Sequence, residues 1–137
     1  MDNTLCDTWK EGRGTKMQVF KNAWFTRFAR KERISSDDLL DAVNRVSQGL
    51  FDADLGSGVY KQRIARPGQG RSKGYRSILL FRKDERCFFV YGYAKSELEN
   101  ITAQEEIQFR LMARHVLNLS QDQLALLMAN GQFEEVN

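Results

Sequence analysis

Seven cations stand in the run YKQRIARPGQGRSKGYRSILLFR, residues 60–82: Lys61, Arg63, Arg66, Arg71, Lys73, Arg76 and Arg82, with no acid among them. Solvated surface segments ordinarily mix signs, so uncompensated charge on one short stretch points to a polyanionic target. Lys61 and Arg63 alternate with Tyr60, Gln62 and Ile64, which puts both cations on one face of a strand. If Arg76 lies across from them on a neighbouring strand, three positive side chains converge within roughly 5 Å at Cβ. Like charges that close destabilise a sheet unless an anion arrives, and guanidinium forks match phosphate oxygens. The expectation is an unneutralised phosphate site built from Lys61, Arg63 and Arg76.

The reaction such a site serves best is cleavage of RNA by its own 2′-hydroxyl. The hydroxyl attacks the adjacent phosphate, negative charge grows on the phosphoryl oxygens, and the 5′-oxygen leaves. Fixed donors stabilise that charge, each contact on the order of 3–4 kcal/mol of barrier. Lys61, crowded by other cations, is the candidate general base. The glycines of RPGQGRSKG let backbone approach a phosphate chain closely, and Arg66, Arg71 and Lys73 are the expected RNA contacts around them. Tyr93, Tyr60 and Tyr75 are candidates for stacking on bases, with a place in the core as the plainer reading of each.

Other chemistries are poorly supplied. His115 is the only histidine, and Cys6 and Cys87 form neither a metal-binding spacing nor a disulfide framework. Cys87, inside CFFVYGYA, reads as a small buried apolar residue. No metal or cofactor is expected. No apolar run reaches the roughly 18–20 residues of a membrane span, and the first 16 residues lack the apolar core of a secretory signal, so a cytoplasmic protein is expected.

Charge is also segregated along the chain. Residues 1–59 hold nine cations and nine acids; residues 60–96 hold ten cations against Asp84 and Glu85; residues 97–137 hold two cations against seven acids. The 137 residues suit one core, with 1–16 expected as a disordered extension and 17–137 as a single domain.

The elements that must position the cations follow from hydrophobic periodicity. MQVF reads as a short strand, placed at a sheet edge. Trp24, Phe25 and Phe28 share one face of a helix. Leu39, Val43, Val46 and Leu50 mark the next, behind a Ser35/Ser36 N-cap, and FDADLGSG reads as a turn cluster. VYKQRIA, YRSILLFRK and RCFFVYGYAK form a three-strand meander, the last of them covered on both faces. Thr102-x-x-Glu105 and Ser120-x-x-Gln123 open two closing helices, the first expected to bury Ile107, Leu111, Met112 and Val116. The fold class is α+β: a small antiparallel sheet of three to four strands, packed with an N-terminal helical hairpin and C-terminal helices.

MQVFKNAWFTRFARKERI, LFDADLGSGVYKQRIARPGQGRSKGYRSILLFRK, FFVYGYAKSELENIT and LALLMANGQFEEV occur in that order. Together they resemble the HigB-like branch of the RelE/ParE toxin superfamily, over about residues 17–136 and most strongly from DADLG to NIT. The resemblance implies a RelE-like fold and the toxin of a type II toxin–antitoxin system. It further implies cleavage of mRNA on the translating ribosome and neutralisation by a helix-turn-helix antitoxin encoded alongside. A ParE-like toxin that inhibits DNA gyrase without cutting RNA is the alternative. By this resemblance Lys61 and Arg63 match the family's strand cations, Arg76 the arginine of its GYR motif, and Lys95 the basic residue after the last strand. Ser96 stands where RelE has an arginine, and Thr102 falls near a tyrosine that aids cleavage in RelE.

Overall fold

A computed structural model of the chain describes residues 17–66 and 70–137; of residue 66 and residues 70–73 only the backbone is described. The expected disordered extension, residues 1–16, lies outside the described residues, as do the side chains of Arg66, Arg71 and Lys73.

Among the described residues six strands form one sheet: β1 Gln18–Asn22, β2 Ala53–Gly56, β3 Val59–Arg66, β4 Gly70–Arg82, β5 Arg86–Ala94 and β6 Phe133–Glu135. Four helices accompany them: α1 Ala23–Glu32, α2 Ser36–Ser47, α3 Ala103–Val116 and α4 Gln121–Ala129. The spatial order is β2-β3-β4-β5-β1-β6. The β3–β4–β5 meander is antiparallel throughout, whereas β1 runs parallel to β5. The α+β class therefore holds, with more strands than three or four.

Three expectations need correction here. MQVF is not an edge strand, because β6 pairs with its free side, Phe20 opposite Glu135. FDADLGSG is not only a turn: Ala53 and Asp54 pair with Lys61 and Tyr60 around a tight reversal at Gly56, Ser57 and Gly58, all at positive φ. Leu50 does not extend the α2 stripe, since that helix ends at Ser47 and Leu50 is exposed.

Each sheet face carries its own core. Phe25 and Ala29 of α1 and Leu39, Ala42, Val43 and Val46 of α2 pack on Ile64, Tyr75, Leu79 and Phe89. On the opposite face Ala113, Val116 and Leu124 of the C-terminal helices pack on Val59, Ile78, Leu80 and Phe88. β5 is buried along nearly its whole length, as its apolar run requires. Side chains at Ser35, Thr102 and Ser120 cap α2, α3 and α4 in reciprocal capping boxes with Asp38, Glu105 and Gln123.

The stripe expected on α3 is rotated. Ile107, Leu111 and Met112 are exposed, and the inward positions are Phe109, Ala113 and Val116. Phe109 meets the ring of Tyr91, centroids 5.9 Å apart. The small Ala113 allows the close approach that a larger side chain would prevent.

Candidate phosphate-binding site

The period-2 alternation of β3 and β4 decides what reaches the α3 side of the sheet. Val59 and Ile78 belong to that core, so Lys61, Arg63 and Arg76 share their face. Arg63 is the register partner of Arg76. On β5 the alternation is interrupted: Ile78 pairs with Tyr91 but Leu79 with Phe89, which leaves Val90 as a bulge residue. Val90 and Tyr91 both pack on the α3-side core. The bulge brings Tyr93 onto that face, opposite Arg76, and turns Gly92 toward α1. There a Cβ would lie 2.6 Å from Phe28 Cε2. Glycine is what lets α1 lie close to the strand that holds Tyr93.

Lys61, Arg63 and Arg76 do converge, but not as an unneutralised set. Asp52, the residue before β2, stands among them. Its Oδ2 lies 3.3 Å from Arg76 Nε and 3.6 Å from Lys61 Nζ, and its Oδ1 lies 3.3 Å from Arg63 Nε. The expectation of a cluster without a counter-charge is overturned; three cations share one carboxylate, and the group stays net positive. Lys61 Nζ donates as well to Asn100 Oδ1 at 3.4 Å, which ties the cluster to the segment before α3.

Exposure grades across the group. The Arg63 side chain is 44 % exposed, Lys61 18 % and Arg76 7 %. Burying a guanidinium requires both a counter-charge and hydrogen-bond partners. Asp52 supplies the first, as an ion pair with Nε. Among the described residues neither Arg76 Nη1 nor the hydroxyl of Tyr93 on the facing strand has a hydrogen-bond partner, and both are buried. The Tyr93 ring is itself buried, so a base cannot stack on it, and what Tyr93 offers is its hydroxyl. Burial raises that hydroxyl's pKa above the ordinary 10.0; Asp52, Tyr91 and Glu105 push it the same way, and Arg76 opposes them. Tyr93 is a neutral donor at any physiological pH.

The other candidate residues lie apart. Lys95 is exposed in the turn that follows β5, with no ion pair among the described residues. Tyr75 is buried and its hydroxyl donates to Glu32 Oε1 at 2.8 Å, a core role. Tyr60 sits edge-on between Phe51 and Phe81. Cys87 is fully buried and burial raises its thiol pKa strongly, as a packing residue requires. No helix among the described residues is long and apolar enough to cross a membrane.

Beside the cluster lies an open cleft of about 370 Å³ lined by Arg45, Leu50, Phe51, Gln62 and, shared with the cluster, Asp52 and Arg63. Arg45 is held there by Asp41 Oδ2 at 3.1 Å and the Arg63 carbonyl at 2.8 Å. Reading the sequence alone passed over Asp52 and Asn100. For Asp52 a signal existed: the Gly-Ser-Gly reversal at 56–58 folds DADL back onto VYKQ, which carries an acid to the foot of the basic strand.

The family described as RelE toxin of the RelE / RelB toxin–antitoxin system matches residues 17–136. No curated protein matches the chain. The match spans the whole described sheet and its helices, and the chain belongs to the RelE toxin family: it is the toxin of a toxin–antitoxin system.

Proposed function

We propose that this RelE-family toxin is a ribosome-dependent mRNA endonuclease, of the HigB-like branch, whose phosphate site is the Lys61, Arg63, Arg76 and Tyr93 group. The observation that carries this reading is the pair of buried donors without an acceptor among the described residues, Arg76 Nη1 and the Tyr93 hydroxyl, on facing residues of β4 and β5. Buried donors left unpaired cost about 1–3 kcal/mol each, and a phosphoryl oxygen admitted by a shift of the side chains that cover them would supply the acceptor they lack. Lys61 and Arg63 would hold the remaining negative charge that develops as the 2′-hydroxyl attacks and the 5′-oxygen departs. The cleft beside Phe51 offers an adjoining nucleobase an apolar wall, and Arg66, Arg71, Lys73 and Lys95 are candidates to contact the phosphates that flank it.

The partner expected in the resting state is a cognate antitoxin of helix-turn-helix type, working in the cytoplasm where translating ribosomes are found. An acidic segment of that antitoxin laid over the cluster would neutralise the toxin by occupying the phosphate positions.

The test is brief induction of the wild-type chain and of Arg76→Ala, with translation followed by amino-acid incorporation and transcript ends mapped. The wild type should arrest translation and cut messages within translated codons, and the folded alanine variant should do neither. A folded Arg76→Ala that remains equally toxic removes the site, and DNA breaks with intact messages would point instead to a gyrase inhibitor.

A further inference from the structure

Resting on the nuclease reading above, we infer that Asp52 is a positioning residue that orients the cations for the phosphate without touching the phosphate itself. A carboxylate at the centre of an anion site is at first sight misplaced, since it repels the substrate. Three observations give it a purpose.

The first concerns the register of β3 and β4. It sets Arg63 directly opposite Arg76, a like-charge pair that destabilises a sheet when left alone. Asp52 reaches the Nε of both and so allows them to stay side by side. The second concerns which nitrogens are taken. On Arg76 the carboxylate holds Nε, while Nη1 is buried without an acceptor among the described residues. A guanidinium has a rigid planar fork, so fixing one edge fixes the direction of the rest. The third concerns how firmly Asp52 is itself placed. Its N–H donates to the Lys61 carbonyl at 2.9 Å, its neighbour Ala53 is the register partner of Lys61, and its side chain is 17 % exposed. A carboxylate anchored by the same hairpin that carries the cations is suited to hold them in one arrangement before substrate arrives. That is pre-organisation, and its value lies in the transition state rather than in binding.

The experiment compares Asp52→Asn and Asp52→Glu with wild type, the Arg76→Ala variant serving as control. Two quantities are read: the affinity for an RNA made uncleavable by a 2′-deoxy substitution, and the single-turnover cleavage rate on translating ribosomes. With Asp52→Asn the affinity should be equal or tighter, because an opposing charge is gone. The cleavage rate should nevertheless fall by about a hundredfold, the usual effect of misplaced catalytic groups. Asp52→Glu, which keeps the charge, should recover part of the rate.

Faster cleavage together with tighter binding in Asp52→Asn would make Asp52 a competitor that substrate displaces, and would overturn the inference. Losses of rate and affinity that merely track a lower folded fraction on melting would overturn it equally. If those results came with an inactive Arg76→Ala, only the role of Asp52 would fall. A fully active Arg76→Ala would remove the nuclease reading as well.

Discussion

Arg76 and Tyr93 face each other across β4 and β5, and each keeps one buried polar group, Nη1 and the phenolic hydroxyl, without a partner among the described residues. In a well-packed interior such a pair is costly to stability. In the proposed phosphate site the same groups would meet an incoming oxyanion, so on that reading stability and function pull in opposite directions at these two residues.

Substituting Tyr93→Phe separates them. The ring packing is kept and one unpaired hydroxyl is removed, so folding stability should be unchanged or higher by up to about 1 kcal/mol. Cleavage should fall by about a hundredfold or more if the hydroxyl donates to the transition state. Urea denaturation and a cleavage assay on the same preparation check both; a stable, fully active variant would show that the hydroxyl has no part in the reaction.

Alkaline titration reports on the same residue. Tyr93, Tyr91 and Tyr60 all have raised pKa values, each chiefly through burial. A pKa higher in the folded than in the unfolded chain means that stability is at full strength below the unfolded value near 10.0, then lost as pH rises toward the folded value. Tyrosinate absorbance should therefore lag behind that of free tyrosine and appear together with unfolding. Tyr93→Phe should move the alkaline unfolding midpoint upward.

Gly92 positions the site from behind. A Cβ there would meet the Phe28 ring at 2.6 Å and the Phe25 ring at 3.1 Å, so those rings, or α1 with them, must shift. Gly92→Ala should destabilise the fold by about 1–3 kcal/mol, measured by chemical denaturation. Because Tyr93 is the next residue, activity of the remaining folded protein should drop as well.

The rotated stripe of α3 gives a contrast within one helix. Ile107→Ser and Leu111→Ser, at exposed positions, should alter stability by no more than about 0.5 kcal/mol. Ala113→Leu, at a position with no exposure, should cost about 1–3 kcal/mol by overpacking. Equal melting temperatures for the two kinds of change would contradict the packing described.

The β3–β4–β5 meander was legible because its alternation and turn residues are local signals, and so were the capping boxes at Thr102 and Ser120. The rotation of α3 was not. Its sequence carries apolar residues on more than one side, Ile107 and Leu111 as well as Phe109 and Ala113, and only the sheet beneath it selects among them. β6 escaped notice for a similar reason: three residues with two exposed glutamates become a strand only because β1 presents a free edge.

By itself the chain's order of residues determined that Lys61 and Arg63 share a face and that a basic hairpin would dominate the middle of the protein, since side chains alternate with period two in any strand. Tertiary structure alone decided the company they keep. The bulge at Val90 brought Tyr93 opposite Arg76, and the fold-back at Gly56–Gly58 carried Asp52 among the cations. The first depends on register between strands, which is set by packing across the whole sheet and leaves no mark on any one segment; of the second only the Gly-Ser-Gly reversal is local, and which cations the acid meets is again a matter of register.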